Sequence, residues 1–448
     1  MRLAVIGGGP VGLVSGTVLA SVGHRVDVVD IDTSRVERIA RGVPPFHEPG
    51  LDDLLRSVVD SRALSATTEL DEVVARADVV LICVGTPSNR DGADLSALKS
   101  ASAAVGRALR GLTDGYRVVA VKSTVPPGTT SKIVEPILRA ESGLTDTSLG
   151  IAMNPEFLRE GVAVDDMRQP DRIVVGVSDE RARALMEELY RPFSAPVIAV
   201  SPTGAEMTKY TSNALLATLV SFSNEIAAMC ESIDGADAEQ VFRALHADRR
   251  FRPPVSRPES PSTITSYLLP GLGYGGSCFP KDTEALAVWA RARGVESPIL
   301  DAVRAVNARR PKRVVDLLRS RLSLPGARVA VLGLAFKPET DDVRESRSLD
   351  LVRLLYHEGA EVRACDPVAA DEAKASLNGI ASVSRDPDTA LRGADAAVLA
   401  TSWPAYVALD PAHVKSLMRR PLILDARRSL DPAKWAAHCE YLPIGVRA

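Results

Sequence analysis

Short apolar runs alternate with longer stretches of helical periodicity over the first two hundred residues, and the same alternation returns after Pro325-Gly326. The runs Leu3 to Ile6, Arg25 to Val29, Asp78 to Val84, Arg117 to Lys122 and Leu149 to Met153 predict strands. The third is almost continuously apolar, as a parallel strand buried on both faces must be. An apolar segment from Leu13 to about Val22 predicts the helix between the first two. Further on, Arg328 to Leu332, Glu361 to Ala364, Ala394 to Ala400 and Leu422 to Leu424 predict a second set of strands. Between the two sets the pattern changes. Ser201 and Pro202 read as a cap and first helical residue, and Ala205 to Glu231 then predicts one helix of ~25 residues, ~38 Å long. Asp237 with Gln240 reads as the capping box of another helix. The expected fold is α/β, with two Rossmann-like doubly wound parallel-sheet domains joined by a long central helix. Its expected boundaries are 1–200, 201–310 and 311–448.

Composition narrows the function classes. Of 448 residues, 46% are hydrophobic and 25% charged, with a net charge of -3, which leaves no basic footprint for nucleic acid. Cys83, Cys230, Cys278, Cys365 and Cys439 are odd in number and never form a CxxC pair, so neither a disulfide framework nor a zinc site is expected. That usage fits a reducing cytoplasm. The apolar N-terminal run is too short for a signal peptide. No run approaches the ~18 apolar residues of a membrane span, so no membrane partner is expected.

Two glycine-rich stretches carry the chemistry. Gly7, Gly9 and Gly12 occupy GxGxxG positions directly after a strand, and Asp30 ends the next strand roughly 20 residues on. This is the fingerprint of a dinucleotide site, in which pyrophosphate approaches a helix N-terminus and the acid accepts from the adenosine ribose. An acid there favours NAD over NADP. Thr86, Ser123 and Thr124 follow strand ends, where ligands of open parallel sheets bind; helix capping is the plainer use of such hydroxyls. The turn after Gly333 lacks GxGxxG spacing, so the second domain is expected to bind something other than a dinucleotide. Lys337, Arg344 and Arg427, at or near its strand ends, suit a diphosphate.

The second stretch runs from Pro270 through Gly271, Gly273, Gly275 and Gly276 to Cys278, Pro280, Lys281 and Asp282. Its glycines predict a flexible floor beneath a cysteine placed just before a helix N-terminus, where amide dipoles favour a thiolate. A lone cysteine is otherwise most often a small buried apolar residue. Lys209 and Asn213, four apart on the long helix, share a face. Glu156 and Glu160 follow a strand end, at a spacing that commonly marks a solvated face.

Taken in this order, the motifs resemble those of the nucleotide-sugar 6-dehydrogenase family over essentially the whole chain. They are Gly7 to Gly12, Val84-Gly85-Thr86-Pro87, Ser123 to Thr129, Asn154 to Gly161, Lys209 with Asn213, Gly273 to Asp282, and Phe336-Lys337 with Arg344-Glu345-Ser346. The resemblance implies two successive NAD-dependent oxidations of a sugar C6 alcohol to a carboxylate. It implies that Cys278 forms a thiohemiacetal and then a thioester, released by water with Glu156 or Glu160 as base. Lys209, Asn213 and a water held by Thr124 and Asp282 would serve the first step. It also implies cofactor contacts from Gly7, Gly9, Val11, Gly12, Asp30 and Arg35, and from Thr86, Ser123, Thr124, Glu160, Lys281 and Arg344. The implied substrate contacts are Phe157, Leu158, Arg159, Lys209, Asn213 and Tyr267, with Gly271, Gly275, Lys337, Arg427 and, from the second copy of a homodimer paired through the central helix, Arg250.

Two departures stand out. The proline-rich segment 250–266 is longer than the family's usual link, and Pro10 replaces a common tyrosine. UDP-glucose is the first expected substrate and dTDP-glucose the second, ahead of GDP-mannose or an N-acetylhexosamine nucleotide. A two-electron 3-hydroxy acid dehydrogenase, needing the lysine and asparagine but no cysteine, and a silent nucleotide-binding scaffold remain as alternatives.

Overall fold

The computed structural model describes residues 1–89, 92–112, 115–248 and 264–447. Most of the proline-rich segment, including Arg250, therefore lies outside the described residues. Two compact units divide between Ser212 and Asn213.

The first unit is built on β1 (Arg2–Ile6), β2 (Arg25–Val29), β3 (Leu64–Thr67), β4 (Val79–Ile82), a small hairpin of β5 (Ser88–Asn89) and β6 (Gly92–Ala93), β7 (Arg117–Val121), β8 (Leu149–Met153), β9 (Ile173–Val177) and β10 (Val197–Val200). Outside the hairpin these form one sheet, in the order β10-β9-β8-β7-β4-β1-β2-β3. All its pairs are parallel except β8 with β9. The valines and leucines of β1, β4, β7 and β8 are buried on both faces, which is why those strands read as unbroken apolar runs. The first helix, Pro10–Ser21, is buried from Gly12 through Ala20. Gly16 lets it lie close to the sheet, since a Cβ there would stand 3.3 Å from Val26.

In the second unit, β11 (Arg328–Leu332), β12 (Glu361–Cys365), β13 (Ser382–Ser384), β14 (Ala396–Leu399), β15 (Leu422–Asp425) and β16 (Glu440–Pro443) form a parallel sheet in the order β13-β12-β11-β14-β15-β16. In both sheets the strand order reverses beside the first strand, between β1 and β4 and between β11 and β14. That reversal is the crevice at which open α/β sheets bind ligands.

The long helix runs from Pro202 to Cys230, 29 residues. Ser201 caps it as expected, its hydroxyl accepting from Gly204 N at 3.1 Å. With a mean hydropathy of 1.2 over its most apolar window, this helix is long and apolar enough to cross a membrane by length and composition. The charged residues are so sparse along it that alanine, leucine and valine set the average.

Candidate active site

At the first sheet's switch point the glycine turn has the geometry a dinucleotide needs. Gly7 takes φ +110°, in the left-handed region that favours glycine. A Cβ on Gly12 would stand 1.9 Å from Gly7 O, so the helix can begin this close only without a side chain. At Gly9 a Cβ would meet nothing within 4 Å. Gly9 is the N-cap of the first helix and offers no side-chain cap. Its bare backbone thus opens the first-turn amides, Val11 and Gly12 among them, to an anion. This cradle fits the pyrophosphate of NAD.

Asp30, at the end of β2, is 7% exposed. One carboxylate oxygen accepts from Gly8 N at 2.7 Å and from Arg35 at 2.9 Å, and the other from Asp32 N at 2.9 Å. About one acceptor site remains for a ribose hydroxyl, because a carboxylate has about four and three are taken. Thr86 donates to Thr124 O at 2.7 Å and Ser123 to Val84 O at 2.6 Å. These hydroxyls lock the loops after β4 and β7 together rather than capping helices.

Also in this unit, Glu156 and Lys209 form an ion pair at 3.0 Å, with side-chain exposures of 5% and 3%. The second Glu156 oxygen accepts from Leu158 N at 2.6 Å. Burial pushes the Glu156 carboxyl up, but the charge and hydrogen bond of Lys209, the Leu158 amide and the charge of Lys122 outweigh it and hold it below the usual range. Glu156 is therefore no member of a solvated helix face: residues 154–159 are irregular, and the carboxylate points inward. Phe157 lies under the same ammonium, 5.4 Å from ring centroid to Lys209 Nζ. The Arg159 guanidinium pairs with Asp166. Glu160 follows in the turn before Gly161.

Glu206, one turn before Lys209, was passed over in the sequence. It is wholly buried and accepts from Gly128 N and from Thr130 N. With no ion pair among the described residues, its carboxyl group thereby clamps the loop that carries Ser123 and Thr124. A glutamate inside so apolar a helix was the available signal.

In the second unit Cys278 is the N-cap of the helix Phe279–Arg291. It is the only one of the five cysteines that is not buried. By contrast, burial pushes the Cys83 and Cys365 thiols up to about 12. Asp282 N closes on Cys278 O at 2.8 Å. The Asp282 side chain, 1% exposed, accepts from Asn213 Nδ2 at 2.6 Å and from Lys281 Nζ at 2.6 Å.

The glycine stretch is not a flexible floor. Gly271 N donates to Asn224 Oδ1 at 2.7 Å, Tyr274 N to Asn307 Oδ1 at 2.8 Å and Gly276 N to Arg344 O at 2.9 Å. A Cβ on Gly275 would stand 2.4 Å from Glu345 O, and one on Gly276 2.7 Å from the Phe336 ring. These glycines permit close packing, so the cysteine stands on a rigid support.

Arg427 lies at the second sheet's switch point, with its guanidinium directed at Ala400 O, Gly273 O and Phe336 O. Burial lowers its pKa to about 10, against the pull of Asp425. Lys337 Nζ lies 5.7 Å from the Phe336 ring centroid. Tyr267 packs its ring 6.3 Å from that of Phe279. The Arg344 side chain is exposed and paired with Asp342.

Three family models match in succession: the NAD binding domain of the UDP-glucose/GDP-mannose dehydrogenase family over residues 1–194, its central domain over 203–309, and its UDP binding domain over 330–432. The chain is 40% identical to UDP-glucose 6-dehydrogenase TuaD of Bacillus subtilis, across 99% of this chain and 93% of that one. With UDP-glucose 6-dehydrogenase AglM of Haloferax volcanii it shares 41% identity over 96% and 97% of the two chains. A UDP-glucose dehydrogenase structure from Pyrobaculum islandicum superposes with a TM-score of 0.90 at 40% identity, covering 100% of this chain and 98% of that one. With its dinucleotide cradle and these full-length matches, the chain belongs to the UDP-glucose/GDP-mannose dehydrogenase family and is an NAD-dependent oxidoreductase.

Proposed function

We propose that the protein oxidises the C6 alcohol of UDP-glucose to the carboxylate in two steps, with Cys278 as covalent nucleophile. The observation that carries this reading is the placement of Cys278: the one cysteine of the five that is not buried, at a helix N-terminus, on a rigid glycine support. The names of the similar enzymes support the substrate. NAD, held by the Gly7 to Gly12 turn and Asp30, would supply the hydride acceptor for each oxidation.

The chain's own groups do the rest. Asn213 and Asp282 orient the C6 hydroxyl and the water that takes its proton, and Lys209 stabilises the developing oxyanion. Cys278 Sγ adds to the aldehyde carbon; after the second oxidation the carbon is held as a thioester. Glu156 then takes a proton from water, whose oxygen bonds to the carbonyl carbon as the C–S bond breaks. Arg427 and Lys337 hold the diphosphate. The domain boundaries 1–200, 201–310 and 311–448 remain our division of this work among cofactor, central and nucleotide-binding parts.

Supplying UDP-glucose and counting NADH tests this. Wild type should form two NADH per sugar, and Cys278→Ser should bind both ligands yet stall before acid release; wild-type turnover in that variant would refute the thioester route. One NADH per sugar would refute the two-step reading, and faster turnover of dTDP-glucose or GDP-mannose would move the substrate.

We also propose a homodimer through the long helix. Leu215, Phe222 and Met229 are each about half exposed and recur every seven residues, the spacing of a helix-pairing seam. Phe222→Glu should halve the mass measured by light scattering; an unchanged mass would place the interface elsewhere. Buried Glu206 and Lys209, each bonded to protein groups, favour a protein rather than a lipid setting for this helix. Five cysteines without a disulfide fit a cytoplasmic enzyme.

A further inference from the structure

Beside the Glu156–Lys209 pair lies a second buried lysine to which the chemistry above gives no role. Lys122 follows the last residue of β7 and is 3% exposed. Its ammonium stands 3.1 Å from Asn154 Oδ1 and 3.4 Å from the Tyr190 phenol oxygen. Tyr190 donates to the same Asn154 oxygen, and Asn154 Nδ2 donates to Val174 O at 2.9 Å. Every one of these partners is neutral. Among the described residues no carboxylate forms an ion pair with Lys122. An ammonium buried without an anion costs several kcal/mol, so its charge must be compensated from a little farther away. Glu156, two residues beyond the Asn154 that anchors this ammonium, is placed to do this, and Lys122 is the weakest of the influences that draw its carboxyl down.

The arrangement answers a difficulty in the reaction. Lys209 cannot turn its ammonium towards a substrate oxyanion without leaving Glu156 as a lone buried carboxylate. Such a group takes up a proton, and then it can no longer accept one from water. Lys122 is anchored by Asn154 and Tyr190 and stays behind.

We propose that Lys122 is a positioning residue for Glu156: a fixed second cation that keeps the carboxylate ionised while Lys209 serves the substrate. This rests on the roles assigned above to Glu156 and Lys209. The charged and titratable groups that bear on Glu156 are Lys209 on the long helix, Lys122 after β7 and Cys83 after β4, with Tyr190 of the helix Glu180–Tyr190 facing Lys122. Cys83, held up at about 12 by burial, stays neutral over the assay range.

The test is the kcat–pH profile with UDP-glucose for wild type, Lys122→Met, Lys122→Arg and Glu156→Gln, with mass spectrometry of Cys278 in each. Glu156→Gln should accumulate the Cys278 adduct. Lys122→Met should shift the acid limb of kcat upward by about one pH unit, the effect of losing a neighbouring opposite charge, and Lys122→Arg should keep the wild-type limb. A merely structural lysine would change stability without moving that limb. An unmoved limb in Lys122→Met, or an equal shift in Lys122→Arg, overturns the proposal while the stalled Glu156→Gln leaves the underlying mechanism standing. Full turnover in Glu156→Gln overturns the mechanism itself. If Lys122→Met does not fold, Asn154→Asp sets an anion beside the ammonium and should shift the limb in the same direction; no shift there also overturns the proposal.

Discussion

The two sheets place an aspartate at the same topological point, the end of the strand beside the first, and use it for opposite purposes. Asp30 spends its carboxylate on two backbone amides and Arg35, and keeps room for a ligand. Asp366 is fully buried and saturated: it accepts from Leu334 N, Ala335 N, Val368 N, Ala369 N and the Trp403 indole. The glycine turns diverge likewise. Gly7 and Gly333, each directly after its strand, are both closely packed, but two residues on a Cβ at Gly9 would meet nothing within 4 Å whereas Ala335 is fully buried. One turn is a cradle and the other is packed shut, which is why we propose other groups, Arg427 among them, for a ligand at the second sheet. Shared topology sets where a ligand can lie; the hydrogen-bond account of one carboxylate decides which ligand it is.

Breaking the closed side should have the largest effect. Asp366→Asn turns an amide NH2 towards two or three of these five donors, and should cost about 3–5 kcal/mol of stability, read as a large fall in Tm, with the calorimetric Kd for NAD unchanged in the folded protein. A parallel loss of NAD affinity would mean that the two turns are not independent. On the open side, Gly12→Ala drives a methyl into Gly7 O. At about 1–3 kcal/mol for overpacking, NAD binding should weaken roughly 10- to 100-fold while UDP binding persists. The smallest effect is expected from Asp30→Asn. Losing a charge-assisted acceptor should weaken NAD about tenfold and narrow its advantage over NADP, as paired titrations with the two nucleotides would show. Unaltered discrimination would assign that choice to Arg35 or another group.

Much of this contrast was legible beforehand. GxGxxG with Asp30, and its absence after Gly333, separated the two turns because backbone clearance is written directly as glycine. The central strands were legible as apolar runs, and Arg25–Val29, Leu149–Met153 and Arg328–Leu332 fall where the pattern put them. The edge strands Leu64–Thr67, Ser382–Ser384 and Glu440–Pro443 were not, being short and partly exposed and so mixed in composition. Of the candidate site, Cys278, Lys209 and Asn213 could be proposed from the sequence, but not the side chains that clamp the surrounding loops. Glu206, Asn224 and Asn307 act on backbone amides far away in sequence, and a side chain that holds distant backbone leaves no periodic trace. For the same reason the glycine stretch looked flexible: its clamps lie on other helices.

The long helix has one further consequence. Lys209 and Asn213 stand one turn apart on an unbroken backbone, and a helix advances about 100° and 1.5 Å with each residue. A loop can absorb an inserted residue, but here a single insertion between them would rotate the asparagine about a quarter-turn out of phase with the lysine. The spacing of these two residues thus behaves as a reading frame, in which even one added alanine is a shift.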